Sequence, residues 1–309
     1  MSAPGSALRA VDRPLLAIGL MLGFCVLAPL GDALAKILGT RMGLGQMIAA
    51  RFLVQAVLLA PIVLVMGTGF GLSARLLRLM VLRTVLHVAG VGLMFLSLRY
   101  LPLADAIAIL FVMPFMILIL GHYTLGEVVG RRRLSACAVG FAGTLMVIQP
   151  SFVEVGWAAL LPIATALAFS LFMLVTRHVA REMDPIRLQA VTAVMASFAL
   201  VPILIAGHMF GLPELLLTGP VGFEWTLLLL IGVVGTAAHL LLTWSLRYAP
   251  AATLAPMQYF EIPVATILGW LIFDALPNGL AAVGILVTVL AGLYVIYRER
   301  VTARASEVL

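Results

Sequence analysis

Two carboxylates, Asp32 and Glu261, two cations, Lys36 and Arg51, and two imidazoles, His87 and His239, stand within stretches of the chain that are otherwise apolar. A charge placed in hydrocarbon is costly, so such groups face a bundle interior or an aqueous cavity and mark a path for polar cargo or protons. Glu261 is the foremost candidate. It lies in Gln258-Tyr259-Phe260-Glu261-Ile262-Pro263 with no basic residue three or four positions away on its own segment. Pro256 and Pro263 bracket it, and each removes a backbone N–H and frees a carbonyl one turn earlier, so the helix is expected to kink or unwind there. Pro114 marks a third expected break. Freed carbonyls and a carboxylate, with Gln258 and Tyr259 beside them, suit a cation, an ammonium group or a proton that binds and leaves during a cycle. The competing role for Glu261 is packing, hydrogen bonded to a neighbouring helix.

Asp32 and Lys36 are four residues apart, on one helical face and in the order that favours a pair, so they are expected to neutralise one another. Lys36, the one lysine of the chain, could instead snorkel outward or serve an outer gate. Arg51 could pair with Asp32 or hold a substrate carboxylate with two parallel hydrogen bonds. His87 and His239 can donate, accept or relay protons, and His239 has Thr236 and Thr243 about one turn away on either side. Asp105, just after Pro102, reads as a helix cap. No H-x-x-x-H or H-E-x-x-H pattern occurs, so no metal site is expected. Cys25 and Cys137 lie in apolar runs without redox or metal spacing and read as small core residues. No cofactor is expected.

These groups need apolar elements to carry them. The 309 residues are 63% hydrophobic and 10% charged, with mean hydropathy +1.18, against roughly a quarter charged in soluble domains. Apolar runs broken by Gly, Pro and Arg predict ten helical spans at about 14–38, 44–66, 78–98, 102–121, 131–149, 156–177, 188–208, 224–246, 251–273 and 279–297. Outer-membrane strands are excluded because no period-two alternation runs through them. The first run, behind Arg9 and Arg13, is too long for a secretion signal and is expected to stay as the first helix.

With the N-terminus inside, the cytoplasmic side would hold Arg9, Arg13, Arg75, Arg78, Arg83, Arg131, Arg132, Arg133, Arg177, Arg181, Arg187, Arg247, Arg298, Arg300 and Arg304. Only Lys36, Arg41, Arg51 and Arg99 would lie toward the outside. That bias predicts an inner-membrane protein with both termini cytoplasmic. The net charge of +6 therefore reads as a topology signal, and no nucleic-acid surface is expected. Trp157, Trp225 and Trp270 fall near span ends, as interfacial anchors do. Gly19-x-x-x-Gly23, Gly126-x-x-x-Gly130, Gly90-x-Gly92 and Gly232-x-x-Gly235 are expected to let helices approach closely. Phe95, Phe111, Tyr259, Phe260 and Trp244 could stack on a planar ligand or simply pack.

Ser97-Leu98-Arg99-Tyr100-Leu101-Pro102-Leu103-Ala104 recurs 148 positions later as Ser245-Leu246-Arg247-Tyr248-Ala249-Pro250-Ala251-Ala252, and Ala142-Gly143 is echoed by Ala291-Gly292. Each octapeptide joins the third and fourth span of its half. Five is odd, so the second half must enter the membrane from the opposite side. The expected architecture is all-α and integral to the membrane, ten transmembrane helices as two inverted five-helix repeats, residues 1–149 and 150–309.

The paired octapeptides, Leu125-Gly126-Glu127 after span four, and the two Ala-Gly pairs resemble the EamA repeat of the drug/metabolite transporter superfamily over nearly the whole chain. The resemblance implies two inverted halves with alternating access to a central cavity. Phe273-Asp274-Ala275 departs from the pattern where the first half has Leu125-Gly126-Glu127. Gly31-Asp32-Ala33 to Lys36, and Ala237-Ala238-His239 to Glu261, are similar to members that export amino-acid-like or opine-type metallophores and to members that import riboflavin.

No Walker A loop is present to couple ATP hydrolysis, so transport is expected to run down a gradient or with protons. Lys36, Arg51 and the two histidines facing Glu261 suit a zwitterion, which favours export of an amino-acid-derived metabolite such as an opine-type metallophore. Riboflavin uptake is the runner-up. A membrane-embedded enzyme would want clustered Asp, His or Ser at one interface, and the longest connection, about 209–223, has only Glu214. No enzymatic activity is expected, and a scaffold would need neither the repeat nor Glu261. The expected partners are a small-molecule substrate and the lipid bilayer, with a homodimer left open.

Overall fold

The computed structural model describes residues 13–126, 130–148 and 156–274, and in the last stretch 279–280, 282–287, 289–291, 293–294 and 297. Glu127, Ala275, Gly292, Arg9, Arg298, Arg300 and Arg304 lie outside the described residues, as do the side chains of Asp105, Arg132 and Arg133.

Each expected span falls mainly on helix among the described residues, where no strand occurs. The helices are α1 (Pro14–Leu38), α2 (Leu44–Val65), α3 (Ala74–Tyr100), α4 (Leu103–Leu110), α5 (Met113–Leu125) and α6 (Arg131–Ile148). They continue as α7 (Leu160–Ala180), α8 (Pro185–Met209), α9 (Phe223–Tyr248), the short α10 (Ala251–Leu254) and α11 (Glu261–Phe273). The described residues between 279 and 297 are helical. Among the described residues six helical stretches are long and apolar enough to cross a membrane: α1, α2, α3, Gly156–Ala180, α8 and α9.

Local chemistry sets the ends. Asp184 caps α8, its Oδ1 accepting from the backbone N–H groups of Ile186 and Arg187 at 2.9 and 3.4 Å, with Pro185 in the first position. Ser73 caps α3 by accepting from Leu76 N–H. Pro102 and Pro250 stop α3 and α9, and Leu101 and Ala249 before them are extended, as a residue preceding proline must be. The expected fourth and ninth spans are each interrupted. Span four breaks between α4 and α5. Span nine passes from α10 through a 3₁₀ segment, Ala255–Phe260, into α11. Pro256 sits in that 3₁₀ segment and Pro114 opens α5, so both stand where a break was expected. Pro263 does not: it is the third residue of α11, in a first turn where proline costs no hydrogen bond.

The departure at Asp274 is one of sequence and not of shape. Gly126 ends α5 at φ 65°, ψ 23°, and Asp274 ends α11 at φ 54°, ψ 27°. Both are left-handed caps, a conformation that aspartate tolerates better than most side chains.

The most extensive helix contacts are α1 with α9, α2 with α8, and α3 with α7. Exchanging the two halves maps the first pair onto the third and the second onto itself. At one end of the bundle Arg13 N–H donates to Tyr248 O at 2.9 Å, and Arg75 reaches His178 and Glu182. At the other end Arg99 pairs with Glu214 at 2.5 Å, Arg41 pairs with Glu224 at 3.1 Å, and Tyr100 packs on Trp157. Trp157, Trp225 and Trp270 are exposed, as anchors should be.

Small residues let the helices meet, though not all those expected to. A methyl at Gly23 would lie 2.9 Å from Leu241, and one at Gly90 would lie 3.1 Å from the Phe169 ring. A methyl at Gly19, Gly126 or Gly130 would meet nothing within 4 Å among the described residues. At Gly140 on α6 a methyl would stand 2.6–3.0 Å from the ring of Tyr259, which is fully buried.

Gly140→Ala is predicted to lower the melting temperature of the detergent-solubilised protein, at an overpacking cost of about 1–3 kcal/mol. Gly19→Ala, whose methyl meets nothing, is predicted to leave it unchanged or slightly raised. Equal melting of the two variants would show that the Tyr259 contact does not confine α6.

Candidate functional site

The helices enclose one central cavity walled by α1, α2, α3, α7, α9 and the broken spans. It holds about 710 Å³ of space between atoms, its mouth included, of which about 70 Å³ admits the centre of a water-sized sphere. Phe24, Phe95 and Phe169 supply flat apolar wall, and Met94, Met113 and Met173 supply adaptable surface. Asp32, Arg51, His239 and Glu261 are its charged and ionisable members.

Arg51 is 3% exposed and has no carboxylate within 4 Å among the described residues. Its Nη1 donates to Gln55 Oε1 at 3.2 Å, and its Nη2 lies 2.9 Å from His239 Nδ1, 3.4 Å from Gly235 O and 3.5 Å from His87 Nε2. Its Cζ is 4.6 Å from the centre of the Phe52 ring. His239 Nδ1 also lies 3.0 Å from Gly235 O, so it accepts from Arg51 in one tautomer and donates to that carbonyl in the other. His239 Nε2 has no protein partner. The imidazole therefore leaves Nε2 open to a ligand.

Gly235 makes this approach possible, since a methyl there would stand 2.9 Å from Arg51 Nε. Behind the wall a polar chain ties three helices together. Gln55 on α2 donates to Gln189 Oε1 and O on α8 at 3.0 Å each; Gln189 donates to His239 O at 2.8 Å and Thr243 Oγ1 at 2.6 Å on α9. Thr243 Oγ1 donates in turn to His239 O at 2.6 Å.

Glu261 is 4% exposed and its Oε1 has no hydrogen-bond partner. Asp32 lines the same cavity with no hydrogen bond or ion pair among the described residues. No hydrogen bond or ion pair within 4 Å joins Asp32 to Lys36 or to Arg51, although the Asp32 and Arg51 charges act on one another across the cavity. The Lys36 ammonium instead donates to Leu98 O at 3.0 Å and Leu101 O at 2.9 Å, because Pro102 leaves the last carbonyls of α3 without helical partners.

His87 lies one layer behind the cavity, its ring 4.3 Å from that of His239 and 4.5 Å from that of Phe172. Gln258 turns away and donates to Met173 Sδ at 3.2 Å. Tyr259 stacks on Phe111 and donates to Cys137 O at 3.0 Å, so it packs the bundle and offers no ligand surface. Cys25 and Cys137 are free and buried, and among the described residues no group of three metal-ligating side chains forms.

Two arginines assigned to the surface are inside. Arg177, 3% exposed, donates to Leu246 O at 2.6 Å and Arg247 O at 3.0 Å, closing the end of α9 as Lys36 closes α3. Arg83 is fully buried. Sequence reasoning also passed over Phe24, Phe169, Gln55 and Gln189. The spacings Arg51 to Gln55 and Arg83 to His87, four residues each, carried the signal of polar groups sharing a helix face.

The profile of the EamA-like transporter family matches residues 15–149 and again residues 156–298. A riboflavin transporter of Rhizobium johnstonii is 32% identical over 70% of this chain and 69% of its own length. An S-adenosylmethionine uptake transporter of Rickettsia bellii is 25% identical over 92% and 94%, and the pseudopaline exporter of Pseudomonas aeruginosa is 26% identical over 72% and 76%. A solved structure with 18% identity superposes with a TM-score of 0.68, covering 90% of this chain and 94% of that one, which places the fold.

If the Gln55–Gln189 chain holds α2, α8 and α9 as one unit, Gln55→Leu and Gln189→Leu each leave a buried group unpaired and are predicted to cost about 1–3 kcal/mol. A double-mutant cycle in the melting of purified protein is predicted to show a coupling of at least about 0.5 kcal/mol. Strict additivity would mean that the two glutamines act separately.

Proposed function

Since the chain belongs to the EamA-like transporter family of the drug/metabolite transporter superfamily, we propose that it carries a small zwitterionic, amino-acid-derived metabolite by alternating access to the central cavity. It is a multi-pass membrane protein and a secondary transporter of small metabolites, not an enzyme. The observation that carries the cargo class is the meeting in one cavity of two carboxylates without hydrogen-bond partners, Asp32 and Glu261, with the Arg51 guanidinium and the unpartnered His239 Nε2. A lone cation would need only the first pair and an anion only the second. A molecule with both charges matches both, and buried polar groups discriminate strongly against ligands that leave them unpaired.

Ten spans in two inverted halves, residues 1–149 and 150–309, form the proposed frame. It is supported by the two profile matches, by the shared caps at Gly126 and Asp274, and by the way the start of α1 meets the end of α9 while the start of α3 meets the end of α7. The end carrying Arg13, Arg75, Arg181, Arg187 and Arg247 is proposed to face the cytoplasm of a bacterial inner membrane. The cavity is complete within one chain, so a second copy is not required.

Export of such a metabolite, an opine-type metallophore among them, is the proposed direction, and the pseudopaline exporter supports it. The S-adenosylmethionine uptake relatives support the same charge pattern with the opposite direction, since that molecule joins an amino-acid carboxylate to a cationic centre. A second reading, riboflavin uptake, is favoured by the Phe24, Phe95 and Phe169 walls and by the riboflavin-transporting relatives.

Purified protein in liposomes, offered S-adenosylmethionine, a histidine-derived opine and riboflavin in both directions, tests the proposal. Saturable movement of a zwitterion is expected. Glu261→Gln should cut it at least tenfold without loss of folded protein. Arg51→Met should weaken binding by roughly ten- to a hundredfold, the worth of a hydrogen bond to a charged group. Flux of riboflavin alone, indifferent to Arg51→Met, would replace the zwitterion with the second reading.

A further inference from the structure

Arg83 is the buried cation that the cavity does not use. Its residue is 0% exposed; Nε donates to Thr176 Oγ1 at 2.9 Å, Nη1 donates to Thr192 Oγ1, and Nη2 has no partner. Its Cζ lies 4.6 Å from the centre of the Phe172 ring, and no carboxylate of the described residues lies within 4 Å. A guanidinium kept inside a membrane bundle for packing alone is a poor choice, since an apolar side chain of similar volume is often as stable or more so. Intramembrane arginines usually pair with an acid or lie on a substrate path.

Its position favours the path. His87 is one turn further along α3, stacks on the same Phe172 ring at 4.5 Å, and lies 3.5 Å from Arg51 Nη2. Nitrogen groups thus lead from Arg51 on the cavity wall to His87, and Arg83 follows one helical turn away on α3 against the same Phe172 ring. On its far side Met80, Met183 and Leu188 belong to a buried apolar cluster that seals the end where Arg75 meets His178 and Glu182. A ligand leaving the cavity toward that end, once α3, α7 and α8 part, must pass Arg83.

We infer that Arg83 is a second station for the carboxylate of the carried molecule, occupied between its release from Arg51 and His239 and its exit. This rests on the zwitterion reading. In the sealed state two neutral hydroxyls, Thr176 and Thr192, hold the fork in place, with one N–H group idle. A carboxylate arriving at the opened site exchanges those bonds for a charge-assisted, two-pronged pair, which is shorter and stronger than a bond to a neutral hydroxyl. The hydroxyls retake the guanidinium when the ligand departs, so the station can fill and empty without leaving a bare charge.

The test uses liposomes and whichever zwitterion of the earlier panel the wild-type protein carries, set against its carboxyl methyl ester, for wild type, Arg83→Met, Arg83→Lys and the pair Thr176→Val with Thr192→Val. Arg83→Met is expected to bind the zwitterion at equilibrium within a few-fold of wild type, yet to exchange it across the membrane at least tenfold more slowly. Exchange of the ester should be unaltered by that substitution, and Arg83→Lys should recover part of the zwitterion rate. Equal slowing of zwitterion and ester, or no slowing of either, overturns the inference and makes Arg83 a structural latch. If Arg83→Met fails to fold, the ratio of zwitterion to ester exchange in Arg83→Lys decides in the same way, since a station keeps it below that of wild type and a latch leaves it equal. A wild-type protein that carries no zwitterion sinks the cavity reading itself, whereas normal wild-type carriage with Arg83-independent exchange sinks the second station alone.

Discussion

A polar group in hydrocarbon must find its partner inside the protein, and most of this structure follows from that requirement. Where Pro102 and Pro250 cut α3 and α9, their last carbonyls, buried in the bundle, are left without helical partners. Lys36 supplies the donor for one end and Arg177 for the other. The two cations stand 141 residues apart, the same separation as Leu44 and Pro185, at which α2 and α8 open. The same need for satisfied donors and acceptors builds the Gln55–Gln189–Thr243 chain between helices. A few groups escape the rule, and Asp32, Glu261 and His239 Nε2 do so where the bundle leaves a cavity.

The repeated octapeptides acquire a physical reason from the same contacts. Arg99 donates to Met42 O at 2.8 Å, in the turn between α1 and α2, and pairs with Glu214; Arg247 lies 3.8 Å from Asp184, in the turn between α7 and α8. Each arginine thus ties the end of its half's third span to the hinge between the first two. The proline that follows sets the exit angle of the broken span that reaches the cavity. Both halves keep this device, on turns at opposite ends of the bundle, as the proposed alternating access would use it.

Much of this could be read from residue types alone. Apolar run length located the spans within a few residues, because a bilayer of fixed thickness dictates helix length. The depth of Glu261, Asp32, Arg51 and His239 in those runs marked all four cavity groups. Partner choice was less accessible. Asp32 and Lys36 have the spacing of a pair, yet the stronger demand of two orphan carbonyls on α3 takes the lysine, and that demand depends on how α1 crosses α3. Arg83 and Arg177 lie close enough to a predicted cytoplasmic end to be counted as topology charges. Their burial is set by α7, whose Phe172 and Thr176 cover Arg83 and whose last turn carries Arg177 onto α9. Tyr259 and Gln258 sit beside Glu261 in sequence, but the 3₁₀ segment turns them away from the cavity.

The frame is nearly symmetric and the charges are not. At the spacings that relate the two halves, 141 residues between the starts of α2 and α8 and 148 between the repeated octapeptides, Glu261 corresponds to Met113 and Asp32 to Met173, and both methionines also line the cavity. Arg51 corresponds to Thr192, one of the hydroxyls that holds Arg83. Each carboxylate is therefore answered across the pseudo-symmetry by a soft apolar side chain, and the cavity's one arginine by a neutral acceptor. A cavity charged equally by both halves would present two equivalent seats and accept a ligand in either of two orientations. Here a molecule with separated charges has one favourable orientation. Under the proposed alternating access it would keep that orientation while the two ends open in turn, a two-fold frame around a single cargo site.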